Sequence, residues 1–182
     1  MTPTVLIAPG LGNSGPDHWQ SIWETSHGYT RVEQSDWERP DRDVWVSALE
    51  RAVKAARGPA IVVAHSVACA VVAHFARANA ESTVVGALLV APADVDSSLH
   101  TPDEVRCFSP LPLTPLPFPA ILVASRTDPY VRFIRAEEMA RLWGARFVDA
   151  GRAGHINADS GFGEWPSGHE LLVELIHSTG TP

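Results

Sequence analysis

The chain is poor in the features that mark several large protein classes. It has 2 cysteines, Cys69 and Cys107, too few for a disulfide framework and without the spacing of a metal site. No segment approaches the roughly 18 consecutive apolar residues of a membrane span. The opening residues, Met1 to Pro9, carry no basic region, and their apolar run is too short for a secretory signal. Cationic residues are a minority, 14 Lys and Arg against 21 Asp and Glu, and they form no cluster. Nothing therefore offers a footprint for a phosphate backbone. These absences leave neither nucleic acid nor membrane as an expected partner, and they point to a reducing, cytoplasmic address. Internal repeats, charge blocks and linkers are also missing.

What is present fits one globular domain spanning 1–182, since 182 residues with 45% hydrophobic and 19% charged side chains can bury a sizeable core. Val5 to Ala8 reads as a buried strand, followed by the glycine-rich loop Pro9 to Pro16. Asp17 is placed to cap a helix running through Glu24, and Arg31 to Gln34 reads as a short second strand. From Asp43 to Arg57 the residues Val46, Leu49, Ala52, Val53 and Ala56 keep helical spacing, and Gly58-Pro59 ends that helix. Further strands are expected at Ala60 to Ala64, Val84 to Val90, Ala120 to Ala124 and Ala145 to Val148. Helices are expected at Val67 to Ala78, Arg135 to Trp143 and His169 to His177.

Apolar strands alternating with helical patterns imply βαβ units and a doubly wound α/β fold. The proline-rich stretch Ser109 to Pro119 must be an extended connection, because its prolines remove backbone donors. Its position before the fifth strand suggests one wall of a site entrance.

Ligands in such folds sit at the carboxyl ends of the strands. The polar residues collect there: Gly10 to Ser14, His65-Ser66, Asp94 and Asp96, Arg126 to Asp128, and His155. A serine on a sharp strand-to-helix turn exposes its hydroxyl above the sheet, next to the N–H groups that open the helix. Ala64-His65-Ser66-Val67-Ala68 is such a turn, with Ala64 and Ala68 where the usual pattern has glycine.

Order strengthens the reading. Ser66, Asp128 and His155 follow the sequence nucleophile, acid, base. His155 would accept the Ser66 proton, and Asp128 would hold the imidazole in its tautomer. The N–H groups of Leu11 and Val67 would form an oxyanion hole, with Gly10 and Gly12 letting the first loop come close.

At these residues the chain resembles the small α/β-hydrolases of the retinoblastoma-binding serine hydrolase and bacterial YdeN type. The likeness lies in Pro9 to Gln20, in Ala64-His65-Ser66, in Ser125 to Val131 and in Gly154 to Pro166, and it covers nearly the whole length. It implies an α/β-hydrolase fold with a mostly parallel six-stranded sheet, helices on both faces and no large lid. It also implies Ser66, Asp128 and His155 as the triad, with no metal or organic cofactor. Ala68 departs from the family's usual glycine, and the Leu-x-Cys-x-Glu motif associated with retinoblastoma-protein binding is absent.

Several plainer roles compete. Ser66 could cap the following helix, Asp128 could be a turn residue before Pro129, and Asp94 is a rival acid. His65 reads as a flank of the turn, and both cysteines read as buried small hydrophobes. Gly10, Gly12, Asn13, His18, Trp19 and Trp165 are the candidates for lining the substrate site. The expected function is a serine hydrolase acting on small carboxylic esters, or on thioesters or amides. The alternative is a hydrolase-fold binding or scaffold protein with weak catalysis. A monomer and a small homo-oligomer fit the sequence equally.

Overall fold

The computed structural model describes residues 2–180. Six strands, β1 (Thr4–Ala8), β2 (Thr30–Arg31), β3 (Ala60–His65), β4 (Val84–Val90), β5 (Ala120–Ala124) and β6 (Arg146–Asp149), form one sheet in the order β2-β1-β3-β4-β5-β6. Every neighbouring pair is parallel. Five helices cover it: α1 (Trp19–His27), α2 (Arg42–Ala55), α3 (Ala68–Ala78), α4 (Phe133–Trp143) and α5 (Pro166–Thr179). Among the described residues, no large lid stands over the strand ends.

The inner strands β1, β3, β4 and β5 are largely apolar because both faces are covered, whereas the edge strands β2 and β6 carry Arg31, Arg146 and Asp149; the two-residue period sorts side chains between two cores. Leu6, Val62, Ala64, Leu89 and Leu122 pack against α2, α3 and α4 through Trp45, Leu49, Phe75, Met139 and Trp143. Val5, Ile7, Ile61, Val63, Leu88 and Val90 face Trp19 and Trp23 of α1 and Leu172 and Leu175 of α5.

The element ends differ from the sequence reading for local reasons. The N-cap of α1 is His18, whose Nδ1 accepts the Gln20 N–H at 3.2 Å, whereas Asp17 is exposed. β2 makes only two residue pairs with β1 at the sheet edge, and Val32 then turns into the core instead of extending the strand to Gln34. α2 begins one residue earlier than Asp43, behind the Asp41 cap, whose carboxylate accepts from the N–H groups of Asp43 and Val44. α5 begins at Pro166 rather than His169, because proline at a first helical position has its φ already set and lacks only an N–H that would be unpaired. The Ser109 to Pro119 connection is neither helix nor strand. It anchors in the core through Leu111 and Phe118, and Pro112 accepts the Trp143 Nε1–H at 2.7 Å.

Candidate active site

β3 ends in His65 and the chain turns at Ser66 with φ 58°, left-handed backbone that a β-carbon strains by about 1–3 kcal/mol. The surroundings hold it there. Ser66 N–H donates to Val90 O at 3.0 Å, and Ser66 O accepts from Cys69 N at 3.1 Å as α3 begins. Ala64 and Ala68 are fully buried on either side, so their methyl groups fit without displacing strand or helix.

The loop after β1 closes over this turn at Gly10. A β-carbon at Gly10 would lie 2.9 Å from Ser66 Cβ and 3.1 Å from His65 O, so only glycine permits the approach. The close fit brings Leu11 to the cavity that Val67 also lines. Neither the Leu11 N–H nor the Val67 N–H has a hydrogen-bond partner among the described residues. Val67 also stands at the N-terminal, electropositive end of α3.

His155 lies on the loop between β6 and α5. Its Nδ1 is 2.9 and 3.0 Å from the two oxygens of Asp128, whose side chain is completely buried after β5. A carboxylate only accepts, so Nδ1 carries a proton, and the tautomer so selected leaves Nε2 as the ring's acceptor. Asp128 also accepts the Tyr130 N–H at 2.9 Å. Asp94, the rival acid, faces Arg135 at 3.6 Å instead.

The histidine loop is pinned by side chains from three other segments and by one of its own. Ser125 Oγ and Thr127 Oγ1 accept from Ala153 N and Gly154 N at 2.9 and 3.1 Å, which accounts for the hydroxyls flanking Arg126. His65 Nε2 donates to His155 O at 2.9 Å, and Trp19 Nε1 donates to Ile156 O at 2.8 Å. Ser160 Oγ accepts the His155 N–H at 3.1 Å. His65 thus does more than flank the turn.

Burial pushes the His65 pKa well below the usual histidine value, and the neighbouring His155 and His18 act in the same direction. His18 is lowered to about 4, first by burial and then by the charges of His155 and Arg31. Both rings are therefore neutral at pH 7 and add no fixed charge beside His155.

A cavity of about 210 Å³ opens at this point, lined by Gly10, Leu11, Asn13, His18, Ser66, Val67 and His155 from the sequence-derived set. Asp128 stands behind His155. Three candidates for lining the substrate site lie elsewhere. Gly12 is exposed, its N–H spent on Trp37 O at 2.9 Å. Trp19 is buried within the α1 core, and Trp165 stacks on Trp23 with ring centroids 5.8 Å apart. Their indoles are large and apolar, so they pack under the histidine loop rather than face the cavity. Cys69 is buried as expected, but Cys107 is exposed on the short 3-10 helix Asp103–Phe108.

The proline-rich connection gives no wall either. Thr101, Pro102 and Val105, just before it, do so, together with Tyr130 and Asn157. Asn157 was available in the sequence two residues after His155. Nothing in the sequence pattern marks Thr101 or Val105. Among the described residues, no group of three or more His, Cys, Asp or Glu could hold a metal ion, and no helix is long and apolar enough to cross a membrane.

A family model described as serine hydrolase matches residues 5–174. The chain belongs to the serine hydrolase family. Among solved structures, this hydrolase is similar to a YdeN-like hydrolase from Pectobacterium atrosepticum at 34% identity, covering 99% of this chain and 94% of that one, with a TM-score of 0.89. The ydeN gene product of B. subtilis shares its fold at 18% identity, with 97% and 100% of the two chains covered and a TM-score of 0.74. So does a monoacylglycerol lipase from Paleococcus ferrophilus at 11% identity, with 97% and 96% covered and a TM-score of 0.70. A search of curated proteins gives no match. The hydrolase is thus a small α/β-hydrolase of the YdeN family, without a large lid.

Proposed function

We propose that this hydrolase cleaves small carboxylic esters, with thioesters and amides as chemical relatives, through an acyl-enzyme on Ser66. Ser66 Oγ attacks the carbonyl carbon as its proton passes to His155 Nε2, and Asp128 holds the imidazolium that forms. The tetrahedral oxyanion rests on the N–H groups of Leu11 and Val67, each worth on the order of 10²–10³ in kcat. His155 then gives its proton to the departing alcohol. Water attacks the acyl group by the reverse use of the same histidine, releasing the acid and restoring Ser66. No step calls for a metal or an organic cofactor.

The observation that carries this reading is the meeting of Ser66, at φ 58°, with the Asp128–His155 pair at one cavity. A volume of about 210 Å³ lies below the roughly 300–1,000 Å³ of pockets for drug-sized ligands, which favours a small substrate. Two unbridged cysteines support the cytoplasmic address.

The test is intact-mass analysis after treatment with a fluorophosphonate, on the wild-type protein and on Ser66→Ala. One adduct on the wild type that vanishes in the variant is expected, together with loss of ester turnover. A folded wild type that takes no adduct would favour the binding-protein alternative.

A further inference from the structure

Three side chains on the cavity wall are locked in one hydrogen-bonding sense. Asn13 Oδ1 accepts from the Ser14 N–H at 2.8 Å and from Arg31 at 2.5 Å. Asn157 Oδ1 accepts from the Ser160 N–H at 3.0 Å and from Ser160 Oγ at 2.8 Å. His18 Nδ1 accepts from the Gln20 N–H at 3.2 Å. A backbone N–H can only donate, so each of these bonds fixes which atom of the side chain is the acceptor. What remains in each case is a donor: the amide Nδ2 of Asn13, the amide Nδ2 of Asn157 and the Nε2–H of His18. None of the three has a protein partner among the described residues. They reach the cavity from separate segments, the loop after β1, the cap of α1 and the loop after β6.

The wall carries no Lys, Arg, Asp or Glu. Leu11, Val67, Ala93, Pro102 and Val105 supply its apolar surface, and Thr101 and Tyr130 add hydroxyls beside the proposed catalytic groups. The proposed oxyanion hole already supplies two N–H groups for the scissile carbonyl. The three side-chain donors are in excess of that need, and an all-alkyl substrate would displace water from the buried His18 and the half-buried Asn157 and leave them unpaired, at about 1–3 kcal/mol for a donor fully deprived of a partner, while Asn13 stands exposed at the rim.

We propose that Asn13, His18 and Asn157 select esters bearing a second, uncharged oxygen acceptor, an ether, hydroxyl or carbonyl oxygen, close to the scissile bond. The selection rests on the hydrolase reading above. His18 remains a donor without becoming a cation, because its pKa is lowered to about 4. An uncharged acceptor is thus matched by uncharged donors, and no counter-ion is provided for a carboxylate.

The experiment compares kcat/KM within isosteric ester pairs, each rate divided by the uncatalysed hydrolysis of the same ester. On the acyl side the pair is 4-nitrophenyl pentanoate and 4-nitrophenyl 3-methoxypropanoate; on the alcohol side it is butyl acetate and 2-methoxyethyl acetate. At least one pair is expected to favour the ether by about tenfold, the effect of roughly one hydrogen bond. The pair that does so locates the second oxygen.

Asn13→Asp and Asn157→Asp keep the Oδ1 bonds and turn each amide donor into an acceptor, so the preference should fall at least fivefold in one or both. Equal rates within both pairs, or a preference untouched by both variants, would overturn the proposal. So would a preference for 4-nitrophenyl hydrogen glutarate over the ether, which would require an anionic acceptor. Failure of the hydrolase reading is separate: it would appear as turnover that survives Ser66→Ala.

Discussion

Acidification should unfold this protein partly through a single ring. His18 is buried beneath the loop after β1, and its pKa falls from 6.5 to about 4, chiefly by burial. The unfolded chain takes up a proton near pH 6.5, whereas the folded chain resists that proton until about pH 4. The contribution is therefore complete above pH 6.5 and is lost as the pH falls toward 4. At roughly 1.4 kcal/mol for each tenfold change in proton affinity, it comes to about 3–4 kcal/mol. That is a large part of the stability of an ordinary domain, about 5–15 kcal/mol.

Burial of His65 acts in the same direction, so the wild type should lose more than the His18 share. Urea unfolding followed by tryptophan fluorescence, from about pH 7 down to about pH 4.5, measures the total. His18→Asn isolates the part that belongs to His18, since asparagine can still accept the Gln20 N–H as an N-cap. The fall in stability across this range should be smaller in the variant by about 2–3 kcal/mol. Two curves descending in parallel would refute the reasoning.

Other substitutions test the site directly. Asp128→Asn should lower kcat by about 10⁴ while leaving the fold intact, because an amide no longer selects the Nδ1-protonated tautomer of His155; steady-state ester hydrolysis measures it. Gly10→Ala places a methyl 2.9 Å from Ser66 Cβ, and a displacement of about 1 Å at the nucleophile should cost on the order of 10² in kcat/KM. Ser66→Gly and Ser66→Ala both remove the hydroxyl, but only glycine relaxes the φ of 58°. Ser66→Gly should therefore be the more stable of the two by about 1 kcal/mol, or roughly 2–4 °C in Tm by calorimetry.

The sheet was legible because burial on both faces writes the inner strands β1, β3, β4 and β5 as apolar runs, and five of the six strands lie within one residue of their expected bounds at each end. The exception, β2, has two residues on an edge, too few to leave a period. The polar residues at the strand ends were legible for the same reason: after a run such as Ile61 to Ala64, His65-Ser66 stands out. Function was less separable from packing at the aromatics. Trp19 and Trp165 occur in blocks full of site residues, yet one lies in the core and the other stacks beside it, because sequence proximity does not say which way an indole turns. His65 carries no signal for its bond to His155, a partner 90 positions away. Thr101 enters the cavity from an irregular segment and Val105 from the short 3-10 helix after it, whose courses depend on the packing around them.

The bond from Trp19 to the carbonyl of Ile156 spans 137 positions of the chain. The turn bearing Ser66 could assemble once β1, β3, β4 and α3 have docked, whereas the loop bearing His155 waits for β6 and the segment beyond it. During synthesis, a chain long enough to present Ser66 would still lack the proposed base His155, and on the proposed mechanism acylation before the fold is finished would be slow. Closure of so distant a contact belongs late in the folding of a parallel sheet. The indole of Trp19, seated where the first and last parts of the chain meet, would report that closure as a change in its emission.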